Sequence, residues 1–427
     1  KSGYANVIDP PAGDWQPARI YGQGSKNNYL ALTNLNRSNF TLQRQIGQGY
    51  FEILPIPGLT LRGSLNLDLA TQDRKEIAVY ANSIFETVGT DPAKAAPSAP
   101  DALASMSDRV NKIFNYQADF TATYDKSFGK HRINLTSAVQ DQYHIRNYFD
   151  YIGQNITNIK NLDKISYGSD LANNNSFTGR DEKYWFGIVG RASYIYGNKY
   201  YLDLSYRRDA SSGFSKDYRW GNFYSVSGAW RISDEWFMQD LTWLNDLKLR
   251  GGWGQAGNDE AVVGRFAYLS GAGGQGSYSW GSGNGNGLGN YYIASGVNGF
   301  PNASLTWEVV ETTYFGFDAS MFKNKLSATV EVFNRKTKGI QQYVNLPLSV
   351  GTDAPAFNIG ALQNKGVDIM LGYNDKWGDF TYNVSGNISF LKNEVTSLYN
   401  NQPLYVDGLG RIEKGRSVGT IWGYKVG

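Results

Sequence analysis

From Tyr200 the chain alternates. Tyr200, Leu202, Leu204 and Tyr206 take one set of positions, and Tyr201, Asp203, Ser205 and Arg207 take the other. The same period returns at Leu59, Leu61, Leu65, Leu67 and Leu69, which interleave with Thr60, Arg62, Ser64, Asn66 and Asp68. It returns again at Phe114–Tyr124, at Tyr224–Ile232 and at Phe380–Phe390. A two-residue period over such lengths specifies β-strands with one apolar and one polar face. The pattern predicts roughly a dozen strands. Many of them match the length of about 9 to 11 residues that a tilted strand needs to cross a bilayer.

The connections alternate too. Pro55–Gly58, Ser127–Lys130, Gly197–Lys199, Lys323–Lys325 and Asn374–Gly378 are short. Between them lie long segments: 70–111 with its DPAKAAPSAP stretch, 143–182, the glycine-rich 258–306, 338–364, and a segment from Lys392 onward. In an up-and-down sheet, successive connections fall at opposite ends. One end is therefore trimmed and the other carries large loops, the asymmetry of an outer-membrane barrel, which soluble sandwiches have no general reason to keep. Aromatic residues gather at predicted strand ends, as at Tyr194, Tyr196 and Tyr200 around the Gly197 turn, which fits a girdle at lipid headgroups. On this reading Leu202 and Leu204 face lipid, while Asp203 and Arg207 face a wet lumen. The reverse would place charges in hydrocarbon at a cost of about 2–4 kcal/mol each.

Composition narrows the choice. The 427 residues include 49 Gly, 30 Tyr, 21 Phe and 11 Trp, so Tyr and Trp, rings with one wet end, supply much of the aromatic content. The net charge is only +3, which gives no ground for a nucleic-acid partner. Cysteine is absent, which excludes a disulfide frame and thiolate metal sites. Mean hydropathy is −0.44, and no run of about 18 apolar residues occurs, so no helical membrane span is expected. Strands that cross a membrane leave no such run.

Catalytic chemistry finds little support. His131 beside a turn and His144 near a strand end read as solvated or loop residues. Ser212 beside Gly213 lacks the G-x-S-x-G context of a nucleophile elbow. The glycine-rich run 271–290 has no G-K-[ST] ending and precedes no helix, so it reads as a flexible extracellular loop and not as a phosphate cradle. Its Tyr278 and Trp280 are candidates for stacking on sugar faces or peptide side chains. Asp181-Glu182 and Asp259-Glu260 read as solvated strand-end charges, and no calcium-loop pattern accompanies them. Tyr148, Phe149 and Tyr151 read as an aromatic cluster in a long loop, available to a ligand or a lid. No catalytic, cofactor or metal residues are expected.

Several ordered stretches carry a family likeness. YRRDASSGF at Tyr206–Phe214, RWGNFYSVSGAWRISDEWF at Arg219–Phe237, LKLRGGWGQAGN at Leu247–Asn258, the block from Asn302 to Ile340, and NIGALQNKGVDIMLGYN at Asn358–Asn374 resemble motifs of the SusC/RagA-like branch of TonB-dependent outer-membrane transporters. Ala210 stands where that pattern has glycine, and Gly213 where it has arginine. The likeness is dense from about Tyr184 to Tyr373 and collinear, though weaker, before that.

The resemblance implies an all-β fold: an antiparallel transmembrane β-barrel, part of a 22-stranded barrel in which an N-terminal plug is folded. Residues 1–427 would form a central segment of that barrel with long extracellular loops, the plug and C-terminal strands being absent from this chain. The resemblance also implies TonB-dependent import of oligosaccharides or oligopeptides across the outer membrane of a Gram-negative bacterium. A SusD-like surface lipoprotein would serve as lid, TonB would act through the plug region, and membrane lipid would surround the whole. A barrel kept as a structural component of a larger assembly is the alternative. A soluble β-rich carbohydrate-binding module is the weaker one.

Overall fold

The computed structural model describes residues 37–79, 104–156, 177–260, 268–269, 272–280, 290–297, 300–344, 349, 354–406 and 410–423. The stretch 91–100 lies outside the described residues, as do the side chains of 272–280 and 290–297. The strands are β1 (Arg37–Ile56), β2 (Leu59–Val79), β3 (Ala104–Phe128), β4 (His131–Ile156), β5 (Phe177–Tyr196), β6 (Tyr200–Ser211), β7 (Trp220–Arg231), β8 (Leu244–Asn258), β9 (Ala272–Trp280), β10 (Asn290–Val297), β11 (Glu308–Met321), β12 (Leu326–Tyr343), β13 (Ala356–Trp377), β14 (Phe380–Ser397), β15 (Leu404–Val406) and β16 (Gly410–Ile412). Twelve of them, β1 to β8 and β11 to β14, form one sheet in chain order. β9 with β10 and β15 with β16 are separate hairpins, the former inside the glycine-rich segment that reads as loop in the sequence. Several strands outrun the alternation that predicts them. β4 continues to Ile156 and β5 begins at Phe177, so both described ends of the segment 143–182 are strand.

The chain divides into two compact units. The first comprises Lys1–Gly49, Leu65–Gln117 and Tyr143–Glu182. Its described strands are joined by polar pairs. Arg44 grips Asp68 with two bonds of 2.8 Å, and Asn115 adds a third at 3.2 Å. Asp150 is 1% exposed and accepts from Ser107 at 2.9 Å and from Arg109 at 2.8 Å.

The second unit comprises Tyr50–Ser64, Ala118–Gln142 and Lys183–Gly427, and it holds all the short turns. Gly197 and Asn198 both have φ +57°, the left-handed pair that a tight hairpin of native twist requires. Consecutive turns are knitted along one edge. Asp125 N donates to Gly58 O (2.8 Å), Gly197 N to Lys130 O (2.7 Å), Arg231 N to Lys199 O (2.8 Å), Phe322 N to Trp243 O (2.7 Å) and Asn374 N to Lys325 O (2.8 Å). We call this edge the near end and the opposite one the far end.

The two faces of this unit invert the usual burial rule. Tyr200, Leu202, Leu204 and Tyr206 are exposed, Leu204 by 46%, while Tyr201, Asp203, Ser205 and Arg207 between them are half-buried. On β7, Tyr224 and Val226 are exposed and Ser225 and Ser227 half-buried. A soluble core would hide the apolar set. Pairing register extends the apolar face across the unit and shows that it is a band. It runs from Tyr200 to Tyr206 on β6, from Met321 to Phe315 on β11, from Leu326 to Val332 on β12 and from Phe380 to Phe390 on β14. Beyond it the same face turns polar. Phe315, Val332, Val367 and Phe390 form its last row, and Thr313, Asn334, Lys365 and Lys392 form the next. The longest stretch matches the span of about 9 to 11 residues that a tilted membrane strand requires.

Rings mark both borders. At the near border Tyr196, Tyr200 and Trp230 stack in series at 6.3 Å, and Tyr382 stacks on Phe380 at 6.0 Å and meets Tyr373 at a tilt at 6.1 Å. At the far border Tyr206 meets Tyr224 at 5.1 Å. His131 belongs to the near border. Its Nδ1 lies 2.7 Å from the Tyr194 hydroxyl and its ring stacks on Phe128, so it is held and not merely solvated. Glu235, in the connection after β7, ties the border together by accepting from Tyr200 Oη (2.8 Å), Trp230 Nε1 (3.1 Å) and Lys199 Nζ (3.5 Å).

Candidate functional site: the polar face and its far-end cleft

The polar face of the second unit is a ladder of half-exposed charges and hydroxyls. Asp203 accepts from Arg191 at 2.8 Å and from Ser193, and the hydroxyls of Ser205 and Ser225 meet at 2.6 Å. Arg250 bridges Asp318 (3.1 Å) and Glu331, and Thr329 donates to Asp318 at 3.0 Å. Lys248 sits 4.5 Å above the Tyr201 ring. Alternation puts these groups on one side, and register brings them level. Glycine completes the surface: a Cβ at Gly252 would stand 3.0 Å from the Tyr314 hydroxyl, so the ring lies across the bare backbone of β8.

Toward the far end this face opens into a cleft of about 230 Å³, lined by Gln140, Gln142, Trp185, Arg207, Asp209 and Trp307 among others. Arg207 is fixed twice, donating to Asp209 at 2.6 Å and to Gln140 Oε1 at 2.9 Å, and Gln140 in turn donates to Asp119 at 2.9 Å. The cleft thus offers the Trp185 indole beside oriented amides and an ion pair, over the buried Trp307, a set able to hold a polar chain by hydrogen bonds and by contact with the indole.

A small core backs the cleft. Phe214, Phe223, Leu305, Trp307 and Ala356 are buried together, with Phe223 and Phe214 against Trp307 at 5.5 and 5.6 Å. Side-chain bonds to backbone hold the segments that supply them. Trp307 Nε1 donates to Arg219 O (2.9 Å), Thr306 Oγ1 to Tyr218 O (3.0 Å), Asn302 Nδ2 to Ala356 O (2.7 Å) and Asn358 Nδ2 to Thr306 O (2.8 Å). Beside it Asp259 Oδ2 receives Lys183 Nζ (2.9 Å), Trp185 Nε1 (2.6 Å) and Ser211 Oγ (2.5 Å). The Lys183 side chain is 4% exposed and that of Asp259 10%. The sequence-based reading of Asp259 as a solvated strand-end charge is therefore corrected. A lysine and an indole more than 70 residues away in sequence enclose it. Asp181 and Glu182 do sit at the surface, paired with Arg146 and Arg180 at 2.6 Å each.

The other sequence candidates are placed as follows. Tyr148, Phe149 and Tyr151 lie on strand β4, not in a loop. Alternation separates them, with Tyr148 on one face and Phe149 and Tyr151 on the other. Tyr148 packs edge-on against Phe177 at 6.1 Å with Arg146 above it, Phe149 is half-buried, and Tyr151 is exposed. They form no single cluster. Tyr278 and Trp280 lie on β9, paired in register with Tyr292 and Asn290, and their side chains fall outside the described residues. Trp185, Gln140 and Gln142 were not singled out from the sequence. Their signal is visible in retrospect, an indole and two amides at polar-face positions of strands. Among the described residues no group of three or more His, Cys, Asp or Glu is arranged to hold a metal ion.

Comparison with known proteins gives this geometry a family. The model described as "TonB dependent receptor-like, beta-barrel" matches residues 2–413. A TonB-dependent receptor of Formosa agariphila is 27% identical over 424 residues, 96% of this chain and 37% of that protein. The TonB-dependent receptor SusC of Bacteroides thetaiotaomicron is 29% identical over 321 residues, 74% of this chain and 30% of SusC. Among solved structures, the RagAB peptide importer in its "open-open" state superposes with a TM-score of 0.77 at 21% identity, covering 96% of this chain and 42% of that one, a likeness of fold. The chain thus spans less than half the length of these relatives. Such proteins are receptors and transporters of the Gram-negative outer membrane, not enzymes. An antiparallel sheet in chain order, an exposed apolar band and a match over nearly the whole length agree: the chain belongs to the TonB dependent receptor-like β-barrel family.

Proposed function

We infer that this chain supplies barrel strands to a TonB-energised importer of oligomeric nutrients, glycans or oligopeptides, in the outer membrane of a Gram-negative bacterium. The observation that carries the reading is the inverted burial of the second unit, with aliphatic and aromatic residues exposed in a band and ion pairs half-covered on the opposite face. An aqueous conduit solvates the second set and hydrocarbon solvates the first. The exposed band counts against a soluble carbohydrate-binding module. The likeness to SusC and to the RagAB peptide importer supports this substrate range, and a SusD-like surface lipoprotein is the lid that the SusC likeness implies.

Within the conduit, the far-end cleft of Trp185, Arg207 and Gln140 contacts the passing oligomer. Tyr278 and Trp280 of the β9–β10 hairpin contact ligand or lid, as do Tyr148, Phe149 and Tyr151. Selectivity rests on such contacts and on the long connections, with no covalent step. The test is uptake of labelled oligosaccharides and oligopeptides by cells that carry the protein, with and without functional TonB. Uptake of one class that disappears when TonB is disabled is the expected result. Uptake indifferent to TonB, or none of either class, rejects import and leaves a structural barrel.

A further inference from the structure

The boundary between the apolar band and the polar rows beyond it is not featureless. A groove of about 820 Å³ crosses β11 to β14 there. Its near wall is apolar and includes Phe315, Val367 and Phe390, continuous with the band. Its far wall carries Asn334, Lys365 and Lys392. Lys365 and Lys392 are direct partners in the β13–β14 ladder. Side chains so placed stand with Cβ atoms about 4.5–5.5 Å apart, and like charges there repel. Lys392 reaches Glu394 at 3.4 Å, but both are open to solvent and such a pair contributes little. Among the described residues Lys365 has no carboxylate within ion-pair distance. Asn334 accepts from Gln363 at 2.8 Å, which leaves its NH2 as a donor. The far wall therefore presents positive charge and donors to one place, with repulsion that an anion would relieve.

The geometry points to an anionic lipid headgroup as the occupant of this groove: a phosphate lies across Lys365 and Lys392, and its acyl chains run down over Phe315, Val367 and Phe390. The apolar wall decides between a lipid and a free anion. A soluble phosphate gains nothing from three hydrocarbon side chains, whereas the acyl chains of a lipid pack along them and hold its headgroup beside the lysines. The inference rests on the membrane reading above and adds a headgroup preference to it.

The test uses the full-length protein in zwitterionic micelles, titrated with phosphatidylglycerol, phosphatidylcholine or inorganic phosphate, with retained lipid read by native mass spectrometry and melting temperature in parallel. Phosphatidylglycerol is expected to be retained about ten-fold over phosphatidylcholine and to raise the melting temperature. The double variant Lys365→Gln/Lys392→Gln is expected to lose the preference and, without anionic lipid, to melt no lower than the parent. Lys392→Arg, which keeps the charge, and Lys323→Gln, at a turn of the near end, are expected to keep the preference. Equal retention of the two lipids, a preference that survives in the double variant, or an equal melting shift from inorganic phosphate alone overturns the assignment. A protein that stays monodisperse without any amphiphile fails the membrane reading itself. One that needs amphiphile but ignores headgroup charge fails only this inference.

Discussion

The near and far ends of the second unit are ordered by different means. At the near end the turns are joined through backbone bonds and a few exposed side-chain bonds, and the rings around them are exposed. Trp236 is 79% exposed and Trp377 84%. At the far end Phe214, Leu305 and Trp307 turn inward and are buried by the protein's own atoms. The far end thus contains a conventional hydrophobic core, stable wherever water is the alternative. The near end has apolar surface that only lipid or detergent covers. One end is folded by the chain alone, the other by the chain with its solvent, and variants at the two ends should respond differently to the amphiphile.

The largest effect expected is at the far-end core. Trp307→Ala removes the ring on which Phe214 and Phe223 pack and the bond to Arg219 O. A loss of about 3–5 kcal/mol is expected, read as a lowered unfolding midpoint and as proteolytic cutting in 212–219 and 300–307. The loss should be the same in short- and long-chain detergents, because lipid does not reach this core. A loss that varied strongly with detergent chain length would erase the distinction between the ends.

Nearly as large is Asp259→Ala, which leaves the Lys183 ammonium buried and unpaired, at a cost of about 3–5 kcal/mol. Lys183→Met/Asp259→Leu removes both charges and should recover most of the loss. If the double variant is as unstable as the single one, the indole and hydroxyl bonds to Asp259 matter more than the charge pair. Thermal unfolding of the two variants beside the parent measures this.

The same contrast explains what could be read from the sequence. Alternation is legible where one face meets an apolar phase and the other a polar one, as along Tyr200–Arg207 and Phe380–Phe390, and the strands, turns and faces there follow from it. Beyond the band both faces are polar, as at Asn334 and Arg335 on β12 or Lys365 and Asn364 on β13. The hydrogen-bond ladder continues there without an amphipathic signal, so the ends of β2, β4 and β12 are invisible to periodicity. Tyr148, Phe149 and Tyr151 pass for loop residues because rings on both faces of β4 break the alternation as well. The far-end core draws single apolar residues from glycine-, serine- and asparagine-rich stretches, where no local rule marks Phe214 or Leu305 as buried. The motif blocks are the available clue, since YRRDASSGF, RWGNF and NASLTWE supply Phe214, Phe223, Leu305 and Trp307 to one cluster. The resemblance that these blocks carry thus falls in part on a fold element. Asp259 shows the remaining limit, because its burial is decided by residues distant in sequence.

The band itself sharpens the comparison through neighbouring residues. Leu204→Arg puts a cation on the apolar face and should cost about 2–4 kcal/mol if that site lies near the bilayer midplane. Ser205→Arg, one position along and on the polar face beside Ser225, should be close to neutral. Reversible unfolding in lipid vesicles measures both. Equal costs would mean that the two faces do not meet different solvents.

The smallest effect belongs to the near end, and pH reveals it. The Glu235 carboxyl is held below the ordinary glutamate range, first by the Tyr200 hydroxyl, then by the Trp230 indole, with the Lys199 charge adding to them against the opposing effect of burial. Because its folded-state value is depressed, its contribution is full above the unfolded value of about 4.3 and is lost as pH falls through the folded value below that. Glu235→Gln keeps an acceptor for Tyr200 but has no charge to lose. The parent should therefore melt slightly above this variant at pH 6, and the gap should close as the pH is taken down to about 3. A gap that held constant through that window would mean that the carboxylate's charge does not help to join the turn after β7 to the ring border. A gap that widened on acidification would contradict the direction of its shift.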